Sequence, residues 1–404
     1  MFEKVTIRQT GVSPGRLLDA GSLAEALLFY EHVQLLLTGG VLGDVVKNVG
    51  IRNLLTLVEQ NRLHLSFQPG NPATATNTRD GMRSHDFGWM TLVGHVDKKG
   101  RYSDRDRIDL QLRRSLGDAY NARDARKLID RIKLKRLSSK EITALTDAAR
   151  ADLKNPILVR ETAKSVIQQY RPAYELPADW RFDAVPIGKE FLIDTNLDFN
   201  TLNAGNETVT PDARIEITPA YISNHIYEAR ADLLFALDYM SEYIASPISS
   251  TIMKRHITSV LRRREKSIEE IDLFQTVHVE QSIRDVINSK ERTFEEFLTL
   301  LDRADRFKSW LSAGHPDEAM LSEYFAAATR NTWAEKLPSR STRLIVTSGL
   351  AATLEALFPS GMGMALGLGL STFDALAFDR IFKGWRPNHF VDGPLREFVT
   401  PDQH

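Results

Sequence analysis

Histidine and aspartate come together twice within a short stretch, as His85-Asp86 and as His95 with Asp97. Residues two apart on a strand share a face, so His95 and Asp97 can offer a nitrogen and an oxygen to one divalent metal. Asp19 and Asp194 each close a short apolar run, and Asp194 is followed by Asn196 and Asp198. Carboxylates at strand ends are how many metal-dependent nucleases gather Mg²⁺, which takes carboxylate oxygens plus water. Asp19, Asp194, His95 and Asp97 therefore form the candidate catalytic set. Mg²⁺ as cofactor and nucleic acid as partner belong to that reading alone. The same letters also have a structural reading, because aspartate and asparagine form turns and a solvent-facing strand alternates polar residues.

Basic residues gather twice. The first group holds Arg126, Lys127, Arg131, Lys133, Lys135 and Arg136, interrupted by Asp124 and Asp130. The second holds Lys254, Arg255, Arg262, Arg263, Arg264 and Lys266, followed by Glu269 and Glu270. Arg262, Arg263 and Arg264 are the candidates for phosphate contact, on nucleic acid or lipid headgroups. Solvated helix faces paired with acids account for the same runs. His225 and Glu228 share a helix face and receive no role. The chain lacks a GxxxxGK[ST] loop, a GxGxxG turn and HExxH. P-loop hydrolysis, dinucleotide redox chemistry and zincin proteolysis are disfavoured accordingly.

The least ordinary segment is apolar and glycine-studded, residues 344–378. It reads as two helices joined at Pro359-Ser360. Glycine costs a helix about 1 kcal/mol relative to alanine, so Gly361, Gly363, Gly367 and Gly369 need a compensating reason. Gly363 and Gly367 are four apart, as are Ala365 and Gly369, which sets a strip of small residues along one face for close approach of another backbone. The hairpin is expected to pack as a buried layer, or against a partner or a membrane. Glu355 and Asp374 oppose insertion, at about 2.5 to 3.5 kcal/mol each at a bilayer centre.

The elements that must position these residues follow from periodicity. An apolar fraction of 42% and a charged fraction of 26% are ordinary for a globular chain of 404 residues and exclude wholesale disorder. A net charge of -1 argues against a broadly basic nucleic-acid binder. No cysteine occurs, which removes disulfides, thiolate nucleophiles and thiolate metal sites. No secretory pattern opens the chain and no apolar run reaches the length of an ordinary span, so a cytoplasmic location is expected, with peripheral membrane contact through the hairpin as its variant.

Ser22 with Glu25 spells a capping box ahead of a helix over 23–30. Residues 32–37 and 62–67 read as strands, separated by helices over 41–48 and 51–60. That order is a crossover unit, so the two strands should be parallel. Residues 70–81 read as a polar loop and 89–97 as a strand. Residues 108–170 read as charged helices, with Ser138 and Glu141 as a second capping box. Short strands are expected at 190–194 and 214–217. Thr218-Pro219 starts a helix expected to reach 245, and Thr293 with Glu296 caps another with an apolar stripe from Phe294 to Leu311. Further helices are expected over 250–264 and 317–337, with Phe390 packing back.

The expected fold class is α+β and mostly helical. It comprises a mixed α/β region over 1–120, a charged helical connector with short strands over 121–215, and a helical domain over 216–392 containing the 344–378 hairpin. The leading functional expectation is a non-enzymatic interaction or effector protein without a cofactor. Its partner would be another protein, a second copy of the chain, or an anionic membrane. The alternative is the metal-dependent nuclease or phosphoesterase described above.

Overall fold

The computed structural model describes residues 4–8, 20–91, 103–204, 215–239, 242–244, 248–249, 252–253, 255, 282–314, 343–344 and 390–399. Strand β1 (Lys4–Arg8) is followed by α1 (Ala20–Phe29), β2 (His32–Leu37), α2 (Gly39–Val49), α3 (Ile51–Glu59) and β3 (Leu63–Phe67). Both helices between the strands form where the apolar spacing places them, and Gly50 separates them at φ +87°, a conformation open to glycine. β2 pairs in parallel with β3, as the crossover order predicts, and also in parallel with β1, a strand that the periodicity reading did not include. The Ser22 box is a correction: α1 already begins at Ala20, so Ser22 lies inside the helix and Glu25 is buried along it.

A second correction concerns residues 70–81. They form β4 (Gly70–Arg79), which pairs antiparallel with β5 (Met82–Thr91). Asp80 and Gly81 make a two-residue turn with both φ positive, 50° and 79°, and Arg79 stands opposite Met82. Such a turn follows the right-handed twist of the strands, and the Asp-Gly pair is its sequence mark. β5 thus starts seven residues before the expected strand at 89, and residues 92–97 lie outside the described set.

The charged helices follow: α4 (Asp104–Leu116), α5 (Ala122–Arg131), the short β6 (Lys133–Leu134), α6 (Ser139–Asp152) and α7 (Pro156–Tyr170). The Ser138 capping box closes reciprocally, with Glu141 N–H donating to Ser138 Oγ at 3.3 Å and Ser138 N–H to Glu141 Oε2 at 2.6 Å. β7 (Phe182–Ile187), β8 (Glu190–Thr195) and α8 (Phe199–Asn203) come next. Residues 215–218 are irregular rather than a strand, because the Asn203 amide satisfies both Ile217 backbone groups, at 2.8 and 2.9 Å.

α9 (Pro219–Tyr239) starts at the Thr218 cap, whose Oγ1 accepts from Tyr221 N–H at 3.1 Å. It stops at Tyr239 rather than 245, and β9 (Glu242–Ile244) joins β1 in parallel instead. α10 (Ser282–Asn288) precedes α11 (Phe294–Arg303) and α12 (Asp305–Gly314). The expected single helix is thus two, broken at Ala304 behind the confirmed Thr293–Glu296 box. β10 (Arg343–Leu344) pairs antiparallel with β9. Leu344, read as the first hairpin residue, is therefore a strand residue, and residues 345–378 lie outside the described set with Gly363, Gly367 and Gly369. Phe390 does pack back, its ring 5.0 Å from Phe307.

The main sheet has the order β10-β9-β1-β2-β3-β6, and a second, antiparallel sheet has the order β4-β5-β8-β7. The fold class is α+β. No helix among the described residues is long and apolar enough to cross a membrane. One face of the main sheet presents Val5, Ile7, Val33, Leu35, Leu37, Leu63, Leu65 and Phe67 to a core shared with the helices α1 to α5 and α10 to α12. The other face carries Leu36 into a second core, with Phe87, Phe182, Phe191, Phe235 and Tyr243 around α6, α7 and α9.

Candidate functional site

A parallel sheet covered on both sides ordinarily reads as continuous apolar strands. The α9 side of this one does not. Thr6, Arg8, Gln34 and Ser66 alternate with the apolar set and are buried, as is Gln68 just beyond β3. α9 answers in kind: Asn224, His225, Glu228 and Asp232 are each at most 8% exposed, while Arg230, on the other side of the helix, pairs with Asp152 of α6 at 2.6 Å. Polar groups so placed must find partners or lose several kcal/mol each. Asn224, Glu228 and Asp232 are spaced four apart, which aligns them along one face of the helix.

The centre of this layer is an ion pair. Arg8 Nη1 donates to Asp232 Oδ1 at 2.5 Å, with the arginine side chain 0% and the aspartate side chain 7% exposed. Tyr243 O–H donates to the same oxygen at 2.8 Å, and Arg8 Nε donates to Gln68 Oε1 at 3.3 Å. The Gln68 amide is held in turn by the Gly70 carbonyl and by Asn71 Oδ1. The guanidinium also lies 5.3 Å from the centroid of the Phe235 ring. Burial opposes the charge on Arg8, but Asp232, Tyr243 and Glu228 together outweigh it and the guanidinium holds its proton more firmly than free arginine. Burial pushes the Asp232 carboxyl up, against the pull of Arg8 and Tyr243. Two converging donors and a permanent cation make the ionised pair the form that fits this geometry.

Two groups in this layer are left with hydrogen-bonding capacity. Arg8 Nη2 is buried and has no hydrogen-bond partner among the described residues. Neither ring nitrogen of His225 has one either, although Nδ1 stands 3.4 Å from Glu228 Oε2. Tyr221 meets the His225 ring edge-on, with centroids 5.0 Å apart. Glu228 accepts from Asn224 Nδ2 at 3.0 Å, and Thr74 on β4 donates to Asn224 Oδ1 at 3.2 Å. The field of Glu228 reaches both Arg8 and Asp232. Arg8 brings one positive charge against the two formal negative charges of Asp232 and Glu228, so the cluster carries an excess negative charge.

The position of this cluster follows from the topology. β1 leads across to β2 on one side, while β9 returns on its other side. Neighbouring parallel strands whose connections part in opposite directions open a crevice at their C-terminal ends, where ligands of open α/β sheets bind. Arg8 ends β1, and Tyr243 of β9 stands in register with Thr6 on the same face.

The residues expected to carry metal chemistry fall elsewhere. Asp194 sits on β8 opposite Asp183, exposed, with Arg181 Nη2 at 3.5 Å; Asp183 is held by Arg160 at 2.9 and 2.7 Å. Asp19, His95 and Asp97 lie outside the described residues, as do Arg262, Arg263 and Arg264. His85 and Asp86 point to opposite faces of β5. His85 is buried with its Nδ1 3.1 Å from Thr76 Oγ1, and Asp86 accepts from Arg150 at 2.8 Å. Among the described residues no three histidine or acidic side chains converge as a metal site would require. In the first basic run, Arg136 pairs with Asp104 and Lys135 with Asp238. No family model, curated protein or solved structure matches the chain. Its chemistry is therefore read from the cluster itself.

A second perturbed group lies on the far side of the main sheet. Lys308 of α12 is 4% exposed, and burial, with Arg62 adding to it, lowers its pKa to about 8 against the pull of Asp305 and Glu31. Below pH 8 the ammonium is charged in both folded and unfolded chains, and the folded state bears the full penalty. Between about 8 and 10.5 the folded chain releases the proton first, so this group's contribution to stability improves as pH rises. Lys308→Met is expected to stabilise the protein by up to about 3 kcal/mol at pH 7, with the gain shrinking above pH 8. Denaturant midpoints of the two proteins across that range measure it. A gain that stays constant with pH would mean that the lysine is not the titrating group.

Proposed function

We propose that this chain is a ligand-responsive interaction protein, in which a small polar molecule binds at the C-terminal ends of β1 and β9. The observation that carries the reading is the buried Nη2 of Arg8, a charged donor at the sheet's switch point with no partner among the described residues. A ligand that fits brings an oxygen acceptor to Nη2 without adding net negative charge to a cluster already in excess. Amides and zwitterionic amino acids meet both demands, the ammonium of the latter being matched to Glu228 and Asp232. A phosphate dianion does not.

The interaction half of the reading rests on connectivity. Leu344, the start of the apolar glycine-rich segment, pairs in register with Tyr243, whose hydroxyl contacts Asp232. A ligand at the cluster is thus one strand from the point where that segment enters the sheet. Packing of the segment against a partner protein, a second copy or an anionic membrane is the output this arrangement serves.

Thermal unfolding with free amino acids, simple amides, acetate and inorganic phosphate tests the first half. A binding ligand at a hundredfold excess over its Kd adds about 2.7 kcal/mol. The rise in Tm is expected from amino acids or amides, and its loss in the Arg8→Met/Asp232→Leu double variant. A shift that survives in that variant would place the ligand elsewhere, and no shift from any class would remove the ligand reading. Co-sedimentation with anionic liposomes, with and without the stabilising ligand, tests the membrane form of the output.

A further inference from the structure

The same face of the main sheet carries a different pattern at the opposite ends of its strands. Lys4 stands in register with His32, Gln34 with His64, and Ser66 with Lys133. Alternation from Thr6, Gln34 and Ser66 puts all four basic residues on the α9 side, one from each of β1, β2, β3 and β6. Lys4 and Lys133 are exposed, and His32 and His64 are half-buried. The two imidazole centroids are 5.8 Å apart. Burial lowers the His64 pKa, and the charges that lower it further are His32, Lys133 and Lys4, all of its own sign. The first basic run is neutralised by acids at Arg136 and Lys135, whereas no acid figures among the charges acting on His64.

We propose that this diagonal row, Lys4–His32–His64–Lys133, is a docking surface for an acidic segment of a partner protein. Four adjacent strands at about 4.8 Å spacing span about 14 Å across while the register advances about 13 Å along them, so the diagonal runs about 20 Å, and an extended peptide sets same-side side chains about 6.8 Å apart. About four alternating carboxylates therefore cover the row. A nucleic-acid duplex fits less well. Such binding typically draws on 6 to 10 phosphate contacts, roughly twice what the row supplies, and the chain as a whole carries a net charge of -1. This surface does not depend on the Arg8 cluster.

The test is fluorescence anisotropy of a labelled hexaglutamate peptide with the full-length chain at low salt, beside a single-stranded oligothymidylate of equal charge. Reversing both exposed lysines, Lys4→Glu with Lys133→Glu, is expected to weaken hexaglutamate binding about tenfold, since each exposed pair lost or turned repulsive contributes up to about 1 kcal/mol. Lys154→Glu, an exposed lysine outside the row, should change it less than twofold. High salt should abolish the binding, because exposed charges are screened. No binding by the unaltered protein would overturn the proposal, as would an unchanged affinity in the double variant or an equal loss with Lys154→Glu. Tighter binding of the oligothymidylate would assign the row to nucleic acid and overturn it as well.

Discussion

Asp232→Ala is expected to cost about 3 to 5 kcal/mol of folding stability, the range for breaking one partner out of a buried ion pair. The cost arises less from the lost contact than from what remains. Arg8, with its side chain 0% exposed, would be left as a buried cation beside an unmatched Tyr243 hydroxyl. Gln68 compensates only at Nε, and Phe235 offers only a ring face. Removing both charges tells a different story. Arg8→Met/Asp232→Leu leaves no buried charge at this position and should lose far less than either single variant, so the double-mutant cycle should show strong coupling. Urea denaturation of the four proteins measures it. If Asp232→Ala costs under about 1 kcal/mol, another group neutralises Arg8 and the ion pair is not the centre of this layer.

Gly21→Ala should be comparably damaging, against the usual direction. In a helix alanine ordinarily gains about 1 kcal/mol over glycine. At Gly21, however, a Cβ would fall 2.6 Å from Arg284 Cα and closer still to its carbonyl oxygen, both backbone atoms of α10. Backbone cannot rotate away as a side chain tip can. The Gly21 N–H also donates to Asn288 Oδ1 at 3.0 Å, so the two helices meet through main chain and a side-chain amide together. Forcing them apart uncovers Ile283 and Val286 and is expected to cost about 3 kcal/mol net. Hydrogen exchange should show protection of residues 282–288 lost first. A variant more stable than the parent would mean that α10 yields freely.

How much of this was legible in the chain depends on how far apart the interacting groups lie. The reciprocal caps at Ser138 and Thr293 form as their letters predict, because each bond closes within three residues. The β2–β3 pair is parallel as the strand–helix–strand order requires. The Asp80-Gly81 turn was equally local and its signal was present. The polar composition of residues 70–79 reads as loop only if the alternation of Thr74, Thr76 and Thr78 ahead of that turn is discounted. β9 is a harder case. Residues 242–244 continue the helical spacing of α9, and what makes them a strand is an open edge of β1, which lies more than two hundred residues away.

The Arg8 cluster was not legible at all. His225 and Glu228 look like one more pair on a helix face, and Thr6, Gln34 and Ser66 look like the solvent side of ordinary strands. Alternation reveals that a strand has two faces; which of them is covered depends on what packs there. Asp194 shows the converse. A carboxylate at a strand end, suggestive in the chain, lies exposed beside Arg181.

The sequence by itself determined the α+β class, the crossover unit, the capped helix starts and the absence of thiol chemistry, since each depends on composition or on forces acting within about a turn of helix or a strand pair. Tertiary structure alone decided that α9 lies over the polar side of the sheet, and so brought Arg8 to Asp232 across 224 residues. The physical reason is burial: the same arginine and aspartate are unremarked letters in water, and become a charged centre with a spare donor only once the surrounding layers exclude the solvent that would otherwise satisfy them.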